Sequence, residues 1–231
     1  MFDILQKHSD FWLIYKHPGA NFHSENGEIG LFEAIKQQAA AEGMKSIFPV
    51  HRLDKVTSGL LIVATNEKSN HELCRAFSEH QVEKYYLAIS NKTPTKKQGS
   101  IIGDMEPARR GSWKLAKTKN NPAITQFFSQ SIAPHQRLFI LKPRTGKTHQ
   151  LRVALKSVGA AIIGDPLYSA QNCAAYDRCY LHAYSIAFSL FDQFYRFQVL
   201  PKEGRIFMQD SFISAVERYS NPWSLDWPDL S

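Results

Sequence analysis

Asp54 stands in a polar stretch, His51 to Ser58, with Arg52 and Lys55 close by and an apolar run, Leu60 to Ala64, directly after it. Neighbouring cations favour the ionised form of a carboxylate. Loops held by rigid strands are also where reacting groups tend to sit. An aspartate so placed can act as a nucleophile or a base; the same pattern also describes a surface ion pair or a turn cap. A second cluster runs from Lys142 to Lys156, with five basic residues and no acidic one. Within it, Arg144 to Arg152 (RTGKTHQLR) leads a glycine turn into a helix start. Backbone N–H groups and the positive end of the helix dipole suit phosphate there. TGKT does not complete the nucleotide-binding pattern GxxxxGK[ST], because residue 141, where the first glycine would stand, is leucine. Tyr85 and Tyr86 follow Lys84. On a strand their rings face opposite sides, so one enters the core and the other faces outward. A ring exposed beside cations can stack on an unpaired base. The nine histidines show no HxxxH spacing, and His51, His149 and His182 are far apart. No metal site is expected.

These groups need a scaffold. Phe11 to Tyr15 (FWLIY) reads as a buried strand that stops at the turn KHPGA. Leu31 to Glu42 reads as a helix, with Leu31, Ile35 and Ala39 on one face and Gly43 after it. Leu60 to Ala64 reads as a central strand. Asn70 to Glu79 is helical in pattern, with Asn70 as the expected N-cap. Tyr85 to Ile89, Ile124 to Phe128 and Leu138 to Leu141 read as strands. Leu181 to Phe188 and Phe194 to Leu200 form an expected antiparallel pair around Asp192. In the segment after Lys142, Thr148 is the expected cap, Leu151, Leu155 and Val158 the apolar row, and Gly159 the stop. Strands outnumber helices and do not alternate with them, which predicts an α+β fold with a mixed, mostly antiparallel sheet.

The chain has 231 residues and a net charge of +7, from 28 Lys and Arg against 21 Asp and Glu. The excess is local. From Lys84 to Lys119 there are nine basic residues and two acidic ones, which equals the whole-chain surplus. That confinement points to a polyanion-facing surface. Apolar residues make up 43%, enough for a packed core. Three cysteines without paired spacing, no apolar run of membrane length and no leader pattern give a cytoplasmic, soluble expectation.

HRLDKVTSGLLIVA, His51 to Ala64, resembles the HRLD-x-x-TSGLL motif of the RluA family of pseudouridine synthases nearly residue for residue. Four further matches follow the family's order. KYYLAI (84–89) resembles K-x-Y-L-A, and TGKTHQLRV (145–153) resembles TGRTHQ[IL]RVH. GDPLYS (164–169) and LHA (181–183) match GD-x-x-Y and LHA. The N-terminal DFWLIYKHPGANFH is similar to the family's first strand and its K-P-x-G turn. Lys147 stands where the family usually has Arg, Ala154 where it has His, and His17 where it has Pro.

The resemblance implies a pseudouridine synthase fold, its sheet in two halves around an RNA-binding cleft, with residues 1–220 as the catalytic domain and 221–231 as a tail. It implies isomerisation of uridine in ribosomal or transfer RNA without metal, redox cofactor or ATP. Asp54 is the essential carboxylate, acting on the ribose as C1′ nucleophile or C2′ base. Tyr86 stacks on the uracil, Arg152 pairs with Asp54, and Arg52 helps hold the nucleotide out of its stack. His51, Lys147, Thr148 and His149 are further substrate-binding candidates. Arg109, Arg110, Lys114 and Lys117 are candidate RNA contacts. Leu60 and Leu61 are expected to pack beneath the site, and the protein is expected to be a monomer. The competing reading is a non-catalytic RNA-binding or ribosome-assembly factor of the same fold.

Overall fold

The computed structural model describes residues 1–25 and 27–230. In chain order the strands and helices are β1 (Phe2–Lys7), β2 (Phe11–Lys16), α1 (Leu31–Ala41), β3 (Phe48–Pro49), β4 (Ser58–Ala64), α2 (Glu67–Ser78), β5 (Glu83–Ser90) and β6 (Gln98–Gly103). There follow β7 (Met105–Pro107), β8 (Trp113–Leu115), β9 (Ala123–Ala133), β10 (Gln136–Pro143), α3 (Gln150–Ser157), β11 (Leu181–Leu190), β12 (Gln193–Gln198) and α4 (Asp210–Val216). Two compact units result, Met1–Glu83 with Ala183–Leu200, and Lys84–His182 with Pro201–Ser231.

In the first unit the strand order is β1-β2-β4-β11, with β3 on β4 and β12 on β11. β4 is buried along its whole length, as a continuous apolar run requires. One face of the sheet gives Phe11, Leu13, Leu60, Ile62, Ala64, Ile186, Phe188 and Leu190 to a cluster with Leu73 and Ala76 of α2. Burying each large side chain stabilises by roughly 1.5–3 kcal/mol. Gly59, the second residue of β4, has φ +113°, and a Cβ there would lie 2.2 Å from the carbonyl oxygen of Ala183. No other residue lets the start of β4 approach β11 so closely.

α2 begins three residues earlier than expected. Asn66, not Asn70, is the cap: its backbone is extended and its side chain accepts the Ser69 N–H at 2.9 Å. The Asn70 N–H already bonds to the Asn66 carbonyl, so Asn70 lies inside the first turn. β1 was not expected from the sequence; it is half-exposed and pairs with β2.

The second unit orders its strands β5-β10-β9-β6, every neighbouring pair antiparallel. β7 and β8 form a separate antiparallel hairpin inside the basic stretch. The expectation of a mostly antiparallel α+β fold holds. The C-terminal tryptophans pack within this unit. Trp223 and Trp227 lie 5.7 and 5.6 Å from the Tyr85 ring, and Trp227 lies 5.1 Å from Phe128. The Lys142 ammonium lies 5.1 Å from the Tyr85 ring and 5.8 Å from the Trp227 ring.

Candidate active site

Asp54 belongs to the loop that feeds β4 of the first unit. Buried and exposed side chains alternate along it: Arg52 is exposed, Leu53 buried, Asp54 half-buried. The loop is fastened from below. Lys16, at the end of β2, is fully buried, and its ammonium donates to the carbonyls of His17 (3.1 Å), Lys55 (3.1 Å) and Thr57 (2.8 Å). The Gly19 N–H bonds to the Lys55 carbonyl, and the Thr57 N–H closes a turn on the Asp54 carbonyl. A buried ammonium is tolerated only where such acceptors replace its water. Leu60 and Leu61, expected beneath the site, are buried.

His51 also serves the scaffold. Its Nε2 accepts the Ile62 N–H at 3.0 Å, and its ring stacks on Phe77 at 4.4 Å. The sequence marked His51 as a substrate contact and passed over Lys16, although a lysine ending an apolar run was visible there. Replacing Lys16 by Met removes the donors to three carbonyls, each worth roughly 1 kcal/mol or more when orphaned. We expect kcat to fall at least about tenfold as the loop relaxes, because small misplacements of a reacting group are costly. Steady-state kinetics beside a melting curve checks this; unchanged kcat would show that Lys16 does not set the loop.

Tyr86 and Arg152 belong to the second unit. On β5, Tyr85 is fully buried and Tyr86 half-buried, the opposite-face arrangement expected of the pair. Burial pushes the ammonium pKa of the adjacent Lys84 down. Arg152 on α3 is almost wholly buried. Its Nε and Nη2 donate to the two carboxylate oxygens of Asp165 at 2.7 and 2.9 Å. Only a planar guanidinium makes this fork. Asp165 is itself fully buried and accepts the N–H groups of Leu167 and Tyr168 on Oδ1. The Tyr168 ring lies 5.0 Å from the guanidinium. The sequence pairing for Arg152 named only Asp54; Asp165 and Tyr168 were seen only as part of a motif match, without a role.

The turn before α3 differs from expectation. Thr148 is exposed and does not cap; the cap is His149, in the left-handed region at φ 56°, without a side-chain cap bond. Gln150 closes the turn instead, its Oε1 accepting from the Lys147 N–H (3.0 Å) and the Thr145 hydroxyl (2.7 Å). His149 Nδ1 meets the Tyr168 hydroxyl at 2.9 Å, and that hydroxyl accepts the Trp113 N–H at 2.9 Å. Lys147 reaches Asn121 at 2.8 Å. Arg109, Arg110, Lys114 and Lys117 are exposed on and around the β7–β8 hairpin, with Lys114 paired to Glu106 at 3.0 Å. Among the described residues no group of three His, Cys, Asp or Glu could hold a metal ion, and no helix is long and apolar enough to cross a membrane.

Residues 10–157 match the family model described as RNA pseudouridylate synthase. An uncharacterized RNA pseudouridine synthase of Haemophilus influenzae is 49% identical over 217 residues, 94% of this chain and 95% of the relative. Ribosomal large subunit pseudouridine synthase C of Rickettsia bellii is 38% identical over 145 residues, 61% of this chain and 48% of that protein. The chain thus aligns with about half of that longer relative. Among solved structures, human RNA pseudouridylate synthase domain containing 4 superposes with a TM-score of 0.70 at 21% identity, covering 93% of this chain and 92% of the other. That likeness is one of fold. With the relatives at higher identity and the family match across residues 10–157, it leads to one assignment: the chain belongs to the RNA pseudouridylate synthase family, enzymes that isomerise uridine in RNA.

Proposed function

We propose that the protein converts uridines of ribosomal or transfer RNA to pseudouridine, with Asp54 as the essential group. The observation that carries this reading is the fastened loop, in which a fully buried lysine spends its donors on main-chain carbonyls and leaves Asp54 at a half-exposed position. On this reading the Asp54 carboxylate acts on the ribose, at C1′ as a nucleophile or at C2′ as a base. The C1′–N1 bond breaks, the uracil turns, and C5 joins C1′ while C5 loses a proton and N1 gains one. The reaction is an isomerisation and calls for no oxidant, metal or nucleotide. Tyr86 stacks on the uracil, and Arg152, oriented by Asp165, pairs with Asp54. Arg52 helps hold the nucleotide flipped out, since a stacked base cannot be attacked. Lys147, Thr148 and His149 face the same RNA. Residues 1–220 carry the catalysis, and Trp223 and Trp227 of the tail 221–231 brace Tyr85. The protein works as a cytoplasmic monomer. The ribosomal substrate is supported by the name of the Rickettsia bellii relative.

Chemical mapping of pseudouridine in RNA from cells with and without the protein tests the reading. Sites present only with the protein are expected; identical maps would favour an RNA-binding factor without turnover.

The basic hairpin makes a separate prediction. Neutralising phosphates releases counterions, so affinity falls steeply with salt. Replacing Arg109, Arg110, Lys114 and Lys117 by Gln should flatten the slope of log K against log salt by about 3, at roughly 0.7 per lost contact. An unchanged slope would mean that these residues do not touch phosphate.

A further inference from the structure

Gly146 has no reason within the protein to be glycine. Of the chain's twelve glycines, nine hold a left-handed φ, and at Gly30 and Gly103 a Cβ would collide with backbone. Gly146 shows neither feature: its φ lies outside the left-handed region, and a Cβ there would meet nothing within 4 Å among the described residues. Besides conformational freedom, a bare backbone serves the close approach of a ligand. The space beside Gly146 is a groove of about 440 Å³, lined by Asp104, Met105, Trp113, Lys147, Thr148 and the Asn120–Asn121 pair. That volume lies at the low end of the small-molecule range.

The lining has a defined chemistry. Trp113 and Met105 offer a surface for stacking. The carboxyl pKa of Asp104 is lowered, first by the Asn120 N–H and then by the Thr118 hydroxyl. Its Oδ2 and Oδ1 accept the Asn120 and Asn121 N–H groups at 3.0 and 2.8 Å, and each carboxylate oxygen has room for a further N–H donor. The wall is also built firmly. Main-chain bonds join Asp104 to Thr118 (2.9 Å) and Ala116 to Asp104 (2.8 Å), and the Trp113 N–H is tied to Tyr168 at 2.9 Å. Unpaired RNA bases are recognised by this combination of an aromatic face and polar groups on the base edge. The lining includes none of Asp54, Tyr86 or Arg152, so the occupant is not the uridine that reacts.

We propose that this groove is a subsite for one unpaired, amino-bearing base of the RNA, guanine, adenine or cytosine, stacked on Trp113, with its amino group on Asp104 and its flank against Gly146. The proposal rests on the reading that this unit faces RNA. It is tested by fluorescence anisotropy with labelled octaadenylate, octacytidylate and octauridylate. Wild type should bind the first two at least about fivefold tighter than the third, the low end of a discriminating base contact. Gly146→Leu fills the groove without backbone strain, so it should melt like wild type and bind octaadenylate and octacytidylate no better than octauridylate. Trp113→Ala should weaken both by roughly 5- to 100-fold, the loss of one stacked base. Equal wild-type affinity for all three oligomers, or wild-type affinity in either folded variant, overturns the subsite. Pseudouridine formation by wild type, measured alongside, keeps the two readings apart. An active wild type with an unaffected Gly146→Leu variant sinks only the subsite, and an inactive wild type sinks only the catalytic assignment.

Discussion

An Asp54→Asn variant will bind RNA and leave its uridines unchanged. Asparagine has the size and shape of aspartate and keeps one acceptor oxygen, but it carries no charge with which to attack C1′ or take a proton from C2′. The loop should stay in place, because the bonds from Lys16, Gly19 and Thr57 run to main-chain carbonyls and His51 holds Ile62. Loss of a group on which every step depends lowers turnover by roughly 10⁴-fold or more. Affinity for RNA, set mostly by phosphate contacts, should stay within about threefold, or 0.7 kcal/mol. Single-turnover assays with saturating enzyme separate the two quantities. Residual turnover near wild type would remove Asp54 from the mechanism. A large drop in affinity would make its role one of binding.

The parts of this arrangement that could be read from the sequence are those in which one segment decides its own structure. β2, β4, β5, β10 and β11 are apolar runs between turn residues, and each lies where the runs place it. Opposite facing of Tyr85 and Tyr86 follows from strand geometry alone. Asp54 was visible because its motif is long and contiguous. What escaped depends on backbone or on partners distant in sequence. Asn66 and Asn70 are equally good caps by residue type; extended backbone at Asn66 decides between them. Thr148 has the right side chain for a cap, but Gln150 had already closed the turn and left His149 in the left-handed region. Lys16 meets Lys55 and Thr57 only once β2 lies against β4. The tail tryptophans carry no pattern that points to Tyr85, and only the folded second unit shows them on its ring.

Asp165 is the strongest case of a residue whose importance only the fold displays, and its removal should cost the most stability. In an Asp165→Ala protein, Nε and Nη2 of Arg152 lose both partners inside a region closed to water, and the N–H groups of Leu167 and Tyr168 lose their acceptor. Breaking a buried pair from one side costs about 3–5 kcal/mol, because the remaining charge stays buried and loses its forked partner. For a chain of this size that lowers Tm by roughly 10 °C. Turnover should fall as well, since the guanidinium proposed to orient Asp54 loses the fork that fixes it. A second variant separates the two effects. Replacing both partners at once, Arg152→Met with Asp165→Leu, removes the buried charge that the single change leaves without its fork, so much of the lost stability should return. Turnover should not return, because the guanidinium proposed to pair with Asp54 is gone. Thermal melts and single-turnover rates on the two proteins decide the matter. If Asp165→Ala melts within about 2 °C of wild type, a cost below roughly 1 kcal/mol, the pair does not hold α3 in place. If the double variant turns over like wild type, Arg152 has no part in the chemistry.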